Sequence, residues 1–156
     1  MKIYLLLLPF LAAACGQGGQ QAAVQTDEPV NVMTFNVRYD NPDDSLNNWA
    51  YRKDRVAKAI RFYDADIVGT QEVLHNQLVD LQQRLPEYES IGVGREDGKE
   101  AGEYSALWYR KDRFTAKDSG WFWLSETPEV AGSKGWDGAC ERIATWAILQ
   151  DKLTGK

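Results

Sequence analysis

Histidine is nearly absent from this chain, with His75 the only one in 156 residues. That excludes metal clusters built on several histidines. With only two cysteines, Cys15 and Cys140, a structural zinc site is excluded as well. A Ser-His-Asp set would need His75 as its base, and no nucleophile motif accompanies it. On the first turn of an amphipathic stretch, His75 reads as a solvated residue. Long apolar runs are lacking too: Ile3 to Leu11 is too short to span a bilayer as a mature helix. Positive charge is in deficit, with 18 Lys and Arg against 23 Asp and Glu for a net −5. Such a body has no whole-surface attraction for phosphate polymers, so tight non-specific DNA binding is excluded and only a local basic cleft remains open.

What is abundant is aromatic. Six Trp, seven Tyr and five Phe predict a thick aromatic core or a stacking surface. The first fifteen residues, MKIYLLLLPFLAAAC, place one positive residue, an apolar stretch and three alanines before Cys15, the layout of a secretory signal peptide. Small residues directly before a cysteine also resemble a bacterial lipobox. The expectation is therefore export with acylation of Cys15 and membrane anchoring at the cell envelope, on the periplasmic side or the outer membrane. Ordinary cleavage after Ala14 is the alternative. Residues 16–29, rich in Gly and Gln without a periodic apolar face, read as a flexible tether. A disulfide from Cys15 to Cys140 is the simple guess for an exported protein. Lipidation of Cys15 would leave Cys140 a lone thiol, expected as a buried small hydrophobe.

The folded body is expected from residue 30 to 156, enough for one domain with a real core. Val30 to Val37 is apolar with little polar relief and suits an interior strand. Turn chemistry follows, and then Val56, Ala59, Ile60 and Tyr63 mark a helix over Trp49 to Tyr63, capped by Asn47 or Asn48. Ile67 to Gln71 is a second buried-type strand. Leu74, Leu78, Leu81 and Leu85 stripe a second helix that Pro86 stops, and Tyr88 to Val93 is a third strand. This alternation argues for a layered α/β domain. After a Gly-rich segment at 92–103, strand-like runs at Tyr104–Tyr109, Phe114–Leu124 and Arg142–Gln150 lack crossover helices and predict an antiparallel meander.

Two polar residues close strands: Asn36 after the first and Glu72 after the second. The carboxyl ends of neighbouring strands are where sites form in α/β layers, and a carboxylate beside an amide can hold a hard cation through oxygen. Glu72 could equally serve as a favourable charge at the start of the next helix. Arg142, at a strand start, suits bidentate phosphate contact or an ion pair with Glu141. The Gly-rich segment lacks the third glycine and following helix of a dinucleotide fingerprint, and reads as a mobile loop. In Gly120 to Ser125, alternation puts Trp121 and Trp123 opposite Phe122 and Leu124. That segment is either a stacking platform or, with both faces apolar, a strand packed between layers.

Taken together, MTFNVRYDN (33–41), DADIVGTQEV (64–73), IGVGREDGKEAGEYSALWYRKDRF (91–114), GWFWLSETPEVAGSKGW (120–136) and ERIATWAIL (141–149) resemble the endonuclease/exonuclease/phosphatase superfamily, in its exported bacterial branch. The resemblance implies the amino-terminal half of a four-layered α/β sandwich with two facing mixed sheets, the second half lying beyond these residues. It implies a phosphoesterase acting on phosphodiesters or phosphomonoesters, with nucleic acids, phospholipid headgroups and sugar phosphates as substrate classes. Glu72 would be the acidic ligand of a catalytic Mg²⁺ or Mn²⁺. Asn36 would stand on the metal or just behind it, Arg142 would face the scissile phosphate, and Glu103 would lie at the active-site rim. Family members continue into a histidine-bearing motif, an Asp-x-Asn motif and a final Asp-His pair. None of these is among the residues here, so the stretch alone is expected to be inactive. A non-catalytic surface lipoprotein that binds glycan or lipid through aromatic strands is the competing expectation.

Overall fold

The computed structural model describes residues 28–156. The leader, Cys15 and most of the tether lie outside the described residues. The body alternates strand and helix as expected: β1 (Val32–Asn36), a 3-10 turn at Pro42–Asn47, α1 (Trp49–Phe62), β2 (Ile67–Gln71), α2 (His75–Arg84), β3 (Tyr88–Ile91), β4 (Leu107–Arg110), β5 (Phe114–Trp123) and β6 (Ile143–Asp151). Asn48 rather than Asn47 caps α1, its side chain accepting from the Ala50 N–H at 2.9 Å. The second helix ends at Arg84, one residue before Leu85 and the halting Pro86.

Strand order in the main sheet is β1-β2-β4-β3. The first pair is parallel, with Asn36 opposite Gln71, and β4 runs antiparallel to both β2 and β3. The sheet is therefore mixed, as the α/β reading requires. The meander is not formed. Instead β4 inserts between β2 and β3, while β5 and β6 make a separate antiparallel pair joined by the long segment 124–142. The reason is that Ala106 and Tyr104 lead β4 into hydrogen bonds with Thr70 and Val73, far away in sequence.

Both helices pack on the sheet over one core that includes Trp49, Val56, Ala57 and Ile60 of α1, Leu81 of α2, and Val68 and Trp108 of the strands. Burying each of the larger side chains contributes about 1.5–3 kcal/mol. The inward stripe of α1 is rotated from the expected one, since Ala57 replaces Ala59 and Tyr63 is 65% exposed. Two polar groups inside this core are satisfied: Thr70 Oγ1 donates to the Ala106 carbonyl and accepts from the Trp108 indole, both at 3.0 Å. Arg113, at the mouth of β5, bonds Asp66 at 2.7 Å and Asp151 at 3.2 Å, which ties the second sheet to the start of β2.

Two expectations about burial fail. The first strand lies at the sheet edge, not in its interior, and Val32 is 71% exposed. Nor is the aromatic strand sandwiched: Trp123 is buried, but Trp121, Phe122 and Leu124 are each about two-fifths exposed. In both cases an apolar run specifies a face that wants cover, and nothing among the described residues lies over it. None of the helices among the described residues is long and apolar enough to cross a membrane.

Candidate active site

The parallel pairing of β1 with β2 brings their carboxyl ends side by side, so Asn36 and Glu72 emerge next to each other. Glu72 does not open a helix, because α2 begins three residues later at His75. It sits in the left-handed backbone region, φ 59°, a conformation that costs a non-glycine residue about 1–2 kcal/mol. Residues held in such conformations concentrate at sites where the surroundings over-determine them. Here the surroundings are clear. Asn36 Nδ2 donates to Glu72 Oε1 at 2.8 Å, and the Tyr39 N–H donates to Glu72 Oε2 at 3.2 Å. Asn36 is itself oriented, its Oδ1 accepting from the Arg38 N–H at 2.8 Å. Reversing this amide would break both of its bonds.

The Tyr39 N–H is in turn placed by the helices. Arg52 of α1 donates to the carbonyls of Val37, Arg38 and Tyr39. From α2, the fully buried Gln77 accepts from the Asp40 N–H at 3.0 Å and donates to the Arg38 carbonyl at 2.9 Å. The chain leaving β1 is thus clamped from two sides before it meets Glu72. Arg38 turns outward to Asp44, and this guanidinium holds the Asp44 carboxyl below its ordinary range.

Glu72 opens onto a cleft of about 550 Å³ whose walls include Asn36, Tyr39, Arg95, Glu103, Cys140 and Arg142. Arg142 is exposed, and its guanidinium makes no ion pair or hydrogen bond with the described residues, Glu141 included; only its carbonyl is engaged, accepting from the Leu124 N–H. Glu103 pairs with Arg95 at 2.7 Å. The structure therefore brings Asn36, Glu72, Glu103 and Arg142 to one cleft.

Three features escaped the sequence reading. Residues 92–103 are not a loose loop: they close as a tight turn, with Gly94 N–H to the Lys99 carbonyl, Glu96 N–H to Ala101 and Arg95 N–H to Glu103. A side chain at Gly94 would collide with the Ala101 carbonyl at 2.2 Å. Cys140 is half-buried in the cleft wall rather than buried in the core. Gln77 sits inside the Leu stripe, and a glutamine three residues after a helix start is the pattern that reaches back to bond it, as it does to the Leu74 N–H. His75 is partly solvated as expected, with Nδ1 3.0 Å from the Tyr104 hydroxyl.

Among the described residues there is no group of three or more His, Cys, Asp or Glu side chains that could hold a metal. The oxygen set at Glu72 nonetheless fits a hard divalent cation. Mg²⁺ binds through one or two carboxylates together with waters and substrate phosphates, and a carboxylate with two hydrogen bonds keeps lone pairs for a cation. It does not fit a nitrogen- and sulfur-seeking ion such as Zn²⁺.

The site is thus a hydrogen-bonded carboxylate at paired strand ends of a layered α/β fold, with an exposed arginine across the cleft. The model of the endonuclease/exonuclease/phosphatase family matches residues 33–150, and the chain belongs to that family. It is 60% identical to an endonuclease/exonuclease/phosphatase protein of Bacteroides vulgatus, covering 80% of this chain and 47% of that one, with a TM-score of 0.77. A family protein of Bacteroides thetaiotaomicron is 45% identical over 81% of this chain and 45% of its own, TM-score 0.78. A mannosyl-6-phosphatase of the same organism is 45% identical over 81% of this chain and 48% of its own, TM-score 0.79. The chain spans about half the length of these structures. Comparison with curated proteins returns no match.

Proposed function

We propose that these residues form the Glu72-bearing part of a divalent-metal-dependent phosphoesterase whose substrate is a sugar phosphate. The observation that carries the reading is the Glu72 carboxylate, held by Asn36 and the Tyr39 N–H and opening onto a cleft that also holds the unpaired Arg142. The substrate class is supported by the likeness to a mannosyl-6-phosphatase.

Each residue then has one task. Glu72 holds Mg²⁺ or Mn²⁺, and Asn36, with its amide nitrogen turned to Glu72, keeps that carboxylate in place rather than binding the ion. When bound, the ion polarises a phosphoryl oxygen and offsets the charge of an in-line transition state. Arg142 contributes a fixed positive group to the phosphoryl oxygens. Glu103 shapes the cleft rim through Arg95. Groups that activate the attacking water are not among the described residues, and residues 28–156 by themselves are proposed to be inactive.

In the full-length protein, Glu72→Gln keeps the shape and removes the charge. The expected loss in kcat/KM is on the order of 100-fold or more, the scale of metal charge stabilisation. Activity within a few-fold of wild type at saturating Mg²⁺ would sink the assignment.

A further inference from the structure

We infer that Arg95 is a phosphate-binding residue of this cleft and that it selects monoesters over diesters, an inference that rests on the phosphoesterase reading above. Arg95 is immobilised from every side. Its N–H donates to the Glu103 carbonyl at 3.2 Å, its carbonyl accepts from the buried Trp123 indole at 2.6 Å, and its Nη1 pairs with Glu103 Oε2 at 2.7 Å. The side chain is 16% exposed. Nη2 makes no hydrogen bond and, unlike the buried Nε, keeps accessible surface, so the guanidinium has one donor open to an incoming acceptor.

A guanidinium donor that faces a cleft is hydrated until an anion displaces the water and accepts from it. Arg95 lines the same cleft as Glu72 and Arg142, so the acceptor that arrives there with the substrate is a phosphoryl oxygen. A guanidinium keeps several donors after one is used, and Glu103 occupies one edge of this one. The Glu103 pair fixes the fork in place before substrate enters, so less ordering is needed on binding.

Monoesters and diesters differ in what they ask of such a cleft. A monoester carries about −1.5 to −2 charges near neutral pH and three terminal oxygens, whereas a diester has one charge and two. Arg142 and the cation at Glu72 already meet the demands of a diester. The third terminal oxygen, with its added charge, is the one that a second guanidinium at Arg95 would recognise. The requirement is chemical and does not depend on which sugar the ester carries.

The test uses the full-length protein with Mg²⁺ and compares wild type, Arg95→Met and Arg95→Lys. The substrates are p-nitrophenyl phosphate and bis-p-nitrophenyl phosphate, and inorganic phosphate binding is followed by calorimetry. With Arg95→Met, kcat/KM for the monoester should fall roughly 30-fold, chiefly through KM, while the diester stays within about threefold. Affinity for inorganic phosphate should weaken about tenfold or more, and Arg95→Lys, which keeps charge but not the fork, should lose selectivity in the same direction. Should Arg95→Met fail to fold, Arg95→Lys carries the same comparison. Equal losses on both esters, or unchanged phosphate affinity, would overturn the proposal and leave Arg95 a brace for Glu103. If wild type turns over neither ester, the phosphoesterase reading has failed, and the phosphate calorimetry still decides whether Arg95 binds the anion.

Discussion

Gln77 is fully buried on the first turn of α2, and its side chain bonds only to backbone: it accepts from the N–H groups of Asp40 and Leu74 and donates to the Arg38 carbonyl. Through the Arg38–Asp40 segment it helps set where the Tyr39 N–H meets Glu72. Replacing it with leucine preserves the volume and strands two half-buried donors, the N–H groups of Asp40 and Leu74. Each unmet group costs about 1–3 kcal/mol, so Gln77→Leu should lower the thermal midpoint by roughly 5–15 °C. A wild-type midpoint would mean that Arg52 alone holds the segment. At this scale the sequence was partly legible. Asn36 and Glu72 stand out because polar residues at the ends of apolar strands have few other reasons to be there. Gln77 and Arg95 do not, because the burial of a polar side chain follows from what surrounds it.

At the scale of elements, the two helices are joined by a charged seam as well as by their apolar faces. Asp80 of α2 accepts from the Trp49 indole at 2.9 Å and the Lys53 ammonium at 3.2 Å on α1, and from Arg84 one turn along its own helix at 3.0 Å. Burial alone would raise the Asp80 carboxyl, but the indole N–H and the Lys53 and Arg84 charges outweigh it and hold it below the ordinary carboxylate range. A carboxylate whose folded value is depressed stabilises the fold above its unfolded value, about 3.9, and loses that contribution as pH falls through the folded value. Asp80→Asn should therefore destabilise the protein by about 1–2 kcal/mol at pH 7, on the scale of a partly buried charged hydrogen bond. The gap from wild type should start to narrow as the pH falls below the unfolded value and close as it falls through the depressed folded one, measured as the shift in urea midpoint at each pH. A gap that stays constant across that range would mean the aspartate acts as a neutral hydrogen-bond acceptor.

For the whole molecule, two of the surfaces that expose apolar side chains are on strands: the β1 edge, with Val32 71% exposed, and one face of the β5–β6 pair, with Ile148 57% exposed beside Trp146 and Phe122. Surfaces of this kind mark association sites, and an unpaired strand edge is a template for pairing. Residues 28–156 prepared alone are expected to self-associate in sedimentation velocity and to give no turnover of bis-p-nitrophenyl phosphate above buffer with Mg²⁺. A clean monomer with metal-dependent turnover lost in Glu72→Gln would show that these residues are a complete catalyst. The alternation of strand and helix, a helix start at Asn47 or Asn48, the stop at Pro86, and the polar closures at Asn36 and Glu72 were all set by the sequence itself, because side-chain periodicity and capping act over a few neighbouring residues. The insertion of β4 between β2 and β3, the edge position of β1, and the arrival of Arg95 and Cys140 in the cleft were decided only by the tertiary structure. Those depend on which backbone ladders pair across long separations, as Leu107–Arg110 does with Ile67–Gly69 and Tyr88–Ile91, and an apolar run states that a face must be covered without naming the strand that covers it.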